Sequence, residues 1–152
     1  MINIENKLFK CAKFLNLGGL LNSGASVDYT NAFGKTPLFY AIGYGDRELV
    51  QILLAHGADV NHAYFSARHI NPENESCALT ATLKHTKRTP LMHAAQNSDL
   101  AMIRLLIDKG ARTQDLDEVG FSALDYAVMG EKAKNQAYLA GLGIPLAKPA
   151  KE

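Results

Sequence analysis

The side chains with the most chemical potential gather in one stretch. His62, His69, Cys77 and His85 are nitrogen and sulfur donors of the kind that bind zinc. Their spacing matches neither a paired-cysteine nor a paired-histidine ligand motif, so solvated side chains are the preferred reading. Asp46 and Asp99 could act as general acids or bases. Each stands where a helical pattern starts, however, and a carboxylate there satisfies free backbone N–H groups. Asp125 follows Ser122 by three positions, the spacing of a capping box. Gly18-Gly19 and Gly43-Tyr44-Gly45 lack the lysine that completes a phosphate loop and read as helix ends. No nucleophile elbow is present. The expectation is a protein with no catalytic residue, no cofactor and no metal.

The elements that carry these residues are short helices. In TPLFYAIGYGDRELVQILLAHGADVN, residues 36–61, Thr36 suits an N-cap and Pro37 the first helical position. Leu38, Ala41 and Ile42 give that helix an apolar face. Gly43-Tyr44-Gly45 ends it, and Asp46 starts a second helix with the stripe Leu49, Val50, Leu53 and Leu54. Gly57 suits the left-handed residue that closes it. Neither helix is long enough to be stable alone in water, so the pair requires similar neighbours to stack on.

Those neighbours are in the chain. Thr36-Pro37-Leu38 recurs as Thr89-Pro90-Leu91 after 53 residues and, weakened, as Ser122-Ala123-Leu124 after a further 33. Gly24, Gly57, Gly110 and Gly143 repeat at intervals of 33, 53 and 33, so one boundary holds 20 extra residues. A 33-residue period with a Thr-Pro-Leu start and a Gly-Ala-Asp-Val-Asn close resembles the ankyrin repeat. The resemblance rests on TPLFYAIGYGD with LLAHGADVN, and on RTPLMHAAQNSD with LLIDKGA. It implies an all-α repeat solenoid of paired antiparallel helices joined by β-hairpin fingers, with one finger lengthened.

The chain of 152 residues then reads as a single domain of four units, 1–28, 29–61, 62–114 and 115–148, with a loose tail at 149–152. The insertion occupies about residues 63–83 of the third unit. There, Cys77, Leu79, Ala81 and Leu83 alternate with polar and small residues, and Asn71-Pro72-Glu73-Asn74-Glu75 has turn chemistry. A long β-hairpin is the main expectation; an unstructured loop and a short helix at 75–84 are the alternatives. The first unit lacks the Thr-Pro-Leu start, as terminal repeats often do. In the last unit Asn135 and Gln136 replace Leu49-Val50 and Met102-Ile103, which reads as an outward, solvent-facing cap. Lys87 stands where Gly34 and Gly120 stand, so its turn is expected to differ. Phe39 and Met92 replace the histidine usual in the family, removing a turn-stabilising hydrogen bond from both inner units.

The net charge of +1 argues against a dedicated binder of nucleic acid or membrane surfaces. No apolar run approaches the ~20 residues that span a bilayer. The opening Met1-Ile2-Asn3-Ile4-Glu5-Asn6-Lys7 has no signal-peptide pattern, and a cytoplasmic location is expected unless the chain is part of a longer protein. Cys11 and Cys77 fall in separate units, whose helices stack ~8–10 Å apart, so reduced thiols are expected.

Stacked repeats present an extended concave surface. In the ankyrin family, partners usually meet the finger tips and the exposed side of the first helix. By position these are Phe33, Lys35 and Tyr44 in the second unit, His85, Arg88, Gln96 and Asn97 in the third, and Val119, Phe121 and Met129 in the fourth. Tyr64, Phe65 and Arg68 on the insertion are interface-type residues on the same side. The expected activity is protein–protein binding by a chain that is monomeric when alone. An inhibitor or immunity-type protein that blocks a toxin or enzyme with the long finger is one alternative. An appendage of a larger, enzymatic or exported protein is another.

Overall fold

A computed structural model describes residues 24, 26–30, 34–64 and 87–147. Outside them lie the start of the first unit with Cys11, the stretch 65–86 with Cys77 and the expected hairpin, and the tail from 148. Six helices follow one another among the described residues: α1 (Pro37–Gly43), α2 (Arg47–Ala55), α3 (Pro90–Asn97), α4 (Leu100–Asp108), α5 (Ala123–Met129) and α6 (Ala133–Gly141). They form three helix pairs. The first helices stack in a row, α1 on α3 and α3 on α5, and each also packs on the second helix of its own pair.

Each start and stop has a local chemical cause. The hydroxyls of Thr36, Thr89 and Ser122 accept from the N–H of Phe39, Met92 and Asp125, so the weakened Ser122 motif still caps. Asp46 and Asp99 cap α2 and α4, accepting from Leu49 and Met102 at 3.0 and 2.9 Å. These two carboxylates are therefore helix caps. Asp125 completes the expected capping box, taking the Ser122 N–H at 2.8 Å. In the third unit the Sδ of Met92 accepts weakly from the Thr89 N–H at 3.5 Å, so that unit keeps a substitute for the bond that a histidine would make. Gly57, Gly110 and Gly143 close the pairs at φ +87°, +94° and +76°.

Burial follows the repeat. Leu38, Ile42, Leu91, Ala94, Ala95 and Tyr126 from the first helices meet Val50, Leu53, Ile103, Leu106 and Leu139 from the second in one continuous cluster. The loops are stitched in phase. Asp28 accepts from the Asp59 N–H at 3.0 Å, and one unit later Asn61 accepts from the Arg112 N–H at 2.8 Å while donating to the Gly110 carbonyl at 3.1 Å.

Two sequence expectations are overturned here. Asn135 is 1% exposed and points into the stack. Its Nδ2 donates to the carbonyls of Ala95 and Ser98 at 3.1 and 3.0 Å, so it ties α6 to the end of α3 and does not face solvent. Gln136 is half-buried and donates to the Ala127 carbonyl at 3.3 Å. The Lys87 turn does not differ in kind either. Lys87 has φ +63°, against +69° at Gly34 and +93° at Gly120.

The insertion leaves the repeat beneath it intact. The Tyr64 N–H donates to the Arg88 carbonyl at 3.2 Å and the Lys87 N–H to the Tyr64 carbonyl at 3.1 Å. In the uninterrupted fourth unit, the Asp117 N–H donates to the Phe121 carbonyl and the Gly120 N–H to the Asp117 carbonyl, both at 3.0 Å. The two finger bases carry the same bond pair.

Candidate protein-binding surface

Nine of the expected contact residues fall among the described residues; Phe33, Phe65, Arg68 and His85 do not. The nine divide by burial. Tyr44, in the link after α1, is 68% exposed; Val119, in the fourth finger, is 56% exposed; Met129, at the end of α5, is 44% exposed. Asn97 is also exposed, and its amide donates to the His93 carbonyl at 3.0 Å. These four can meet a partner without rearrangement.

The other five are engaged within the array. Tyr64 is 5% exposed, so the expectation that it faces a partner is not met. Its ring packs edge-on against Phe39 with centroids 4.8 Å apart, since the bridge to Arg88 turns it inward. Phe121 is half-buried against the core and edge-on to Tyr126. Lys35 is half-buried, with Nζ 4.8 Å from the Phe39 ring centre and 5.5 Å from that of Tyr64. Arg88 lies with its guanidinium 4.5 Å from the Tyr126 ring centre, and its Nη2 donates to the Oε1 of Gln96. Arg88 Nε is buried with no hydrogen-bond partner.

These contacts involve residues that sequence reasoning passed over. The Tyr126 hydroxyl donates to Asp117 Oδ2 at 2.7 Å, and Asp117 Oδ1 also accepts the N–H groups of Val119 and Phe121. Burial, reinforced by the Asp117 carboxylate, raises the Tyr126 phenol above its ordinary range. His93 stacks on Phe39 with centroids 3.9 Å apart. Burial and then the charges of Arg88 and Lys35 push its pKa down to about 3, so it is neutral at physiological pH. A signal for this row was present: Tyr40, His93 and Tyr126 occupy the same repeat position.

Spacing sets how closely the units approach. A Cβ on Gly130 would lie 2.2 Å from the Gln96 carbonyl oxygen, so glycine lets the end of α5 rest on the end of α3. Among the described residues no group of three or more His, Cys, Asp or Glu side chains could hold a metal ion, and no helix is long and apolar enough to cross a membrane.

The family model for ankyrin repeats matches residues 1–64 and 66–144. The chain belongs to the ankyrin repeat family. A human transient receptor potential cation channel, subfamily A member 1, is 33% identical over 99 residues, covering 65% of this chain and 8% of the channel. The gorilla ankyrin repeat, SAM and basic leucine zipper domain-containing protein 1 is 30% identical over 117 residues, covering 73% of this chain and 21% of that protein. A putative ankyrin repeat protein of fowlpox virus is 28% identical over 118 residues, with 72% and 18% covered. The chain thus spans about a fifth or less of the length of these relatives. Ankyrin repeats generally serve as protein-interaction modules and are typically not enzymes.

Proposed function

We propose that this chain is a non-catalytic interaction module that binds a protein partner along the exposed side of α1, α3 and α5 and the fingers beside them. The observation that carries this reading is the exposure of three large apolar or aromatic side chains, Tyr44, Val119 and Met129, on a finger and at the ends of first helices. Large apolar and aromatic side chains are what interface cores are made of. Shape supports the same reading, because stacked repeats create an extended concave binding surface.

The variant Tyr44→Ser with Met129→Ser tests it. Both side chains are exposed, so stability should hold within about 0.5 kcal/mol. Affinity capture from the native host followed by mass spectrometry should lose its principal protein with this variant. Retention of that protein by the variant, together with its loss on deleting residues 65–84, would favour the inhibitor reading, in which the long finger makes the contact.

A further inference from the structure

The fourth unit ends in a face of the kind that the inner units cover. Ile42 and Ala95 share one repeat position and are fully buried. Their carbonyls accept from Ser98 Oγ and Asn135 Nδ2 of the following unit, both at 3.1 Å, so this position faces the next unit. Val128 holds it in the fourth unit and is 47% exposed. Val60 is buried, and its counterpart Leu146 is 55% exposed. Ala140, at the position of Leu54 and Ile107, is exposed as well. Gln136, at the position of Val50 and Ile103, turns its amide back to the Ala127 carbonyl. A terminal repeat that meets water keeps a polar outer face. Asn135, the residue that reads in sequence as such a cap, is directed instead at the third unit.

We propose that two copies of this chain pair through this face, fourth unit against fourth unit, about a two-fold axis. The inference does not rest on the interaction-module reading. The face continues the seam that joins the inner units, so what covers it is a helix pair with an apolar face of its own. A second copy brings such a face, and a two-fold contact sets the same patch on both chains. Charge permits this pairing, because like charges that meet across an interface are what would oppose it. Val128, Gln136, Ala140 and Leu146 are uncharged. Glu131, Lys132 and Lys134 line a cleft shared with Ser98 and Asp99, on the side toward the third unit. Asp115 pairs with Arg112, Asp117 and Asp125 are buried and hydrogen-bonded, and Glu118 stands on the finger. One helix pair presents a small face beside the interface of a permanent dimer, so the pairing is reversible.

Sedimentation velocity of the full chain from about 5 to about 500 μM tests the pairing. The weight-average mass should rise from that of one chain toward that of two. Raising salt from about 50 to about 500 mM should leave the rise in place, since no charge pair carries the contact. Val128→Lys and Leu146→Lys should each weaken pairing about tenfold or more, because each sets two like charges on facing surfaces. Both side chains are exposed, so both variants should keep the thermal midpoint of the dilute parent. Gln51→Lys adds the same charge on the exposed side of α2 and should leave pairing unchanged. A mixture of Val128→Lys with Val128→Glu should regain pairing, because opposite charges then face each other. A single-chain mass at every concentration would overturn the proposal, whatever other protein covers the face in the cell. Pairing that survives both Val128→Lys and Leu146→Lys would remove this face from the contact. Masses that grow beyond two chains, or a mixture that stays dissociated, would overturn the two-fold arrangement.

Discussion

Asn135 Nδ2 lies 3.1 Å from the Ala95 carbonyl oxygen, and this bond fastens the last helix pair to the one before it. The same nitrogen also reaches the Ser98 carbonyl at 3.0 Å. Helix ends leave carbonyls without partners, and here a side chain from the next unit satisfies two of them. Leu49 and Met102 fill the equivalent place in the inner units. Asn135→Leu would restore the apolar stripe, yet it should destabilise by about 2 kcal/mol because two buried carbonyls lose their donor. A lower urea midpoint at unchanged slope is the expected result; a gain in stability would show that the amide is dispensable.

Lys87 adopts φ +63°, a conformation that costs a non-glycine residue about 1–2 kcal/mol. Glycine relieves this but loses more entropy on folding, so Lys87→Gly should stabilise by about 0.5–1 kcal/mol. Lys87→Val should destabilise by about 1 kcal/mol or more, since a β-branched side chain tolerates this backbone least. Thermal midpoints of the two variants should therefore fall on opposite sides of the parent.

Gly130 sits where a Cβ would come within 2.2 Å of a backbone oxygen, an atom that cannot rotate away. Gly130→Ala should push α5 off α3 and cost about 2–3 kcal/mol. Gly141 provides the control, because a Cβ there meets nothing within 4 Å. Gly141→Ala, near the end of α6, should be neutral or stabilise by up to about 1 kcal/mol. Equal effects in chemical denaturation would remove the close-approach explanation.

The elements of this fold were legible because their causes are local. Thr-Pro-Leu starts, aspartate caps, apolar stripes and closing glycines each act within a few residues, and their phase exposed the repeat. What the sequence concealed acts between units. Asn135 looked solvent-facing because polarity at a stacking position has two meanings, an outward face or a donor aimed at the neighbour's carbonyls. Tyr64 looked like an interface residue because its type suits both an interface and a core; the backbone bridge to Arg88 decides for the core. A lysine at position 87 suggests a different turn, whereas the bond pair at the finger base holds the turn and makes the lysine conform.

His93 is expected to make stability depend on pH in a defined direction. Its folded pKa of about 3 lies below the ordinary 6.5, so between those values the unfolded chain binds the extra proton. Its stabilising contribution is thus complete above pH 6.5 and is lost progressively as pH falls toward 3. His93→Gln keeps a polar, neutral side chain, so the variant should show a shallower acid loss than the parent. Urea midpoints across this window give the comparison, and NMR should find the His93 imidazole neutral at pH 5. Identical slopes in the two proteins would show that His93 does not contribute.

Deleting residues 65–84 should leave the scaffold folded. The deletion joins Tyr64 to His85 and places Tyr64-His85-Thr86-Lys87-Arg88 in register with Asp117-Glu118-Val119-Gly120-Phe121. Both segments are closed by the same two backbone bonds, so the shortened chain has a working turn already present in the fourth unit. Shortening a loop lowers its closure entropy only slowly with length, by about 0.6 kcal/mol per halving. Packing of Tyr64 on Phe39 and of Arg88 on Tyr126 lies outside the deleted stretch and is retained. The deletion variant should therefore unfold cooperatively with a thermal midpoint within about 5 °C of the parent. A broad or strongly lowered transition would show that the inserted residues support the stack, and that the finger base does not close without them.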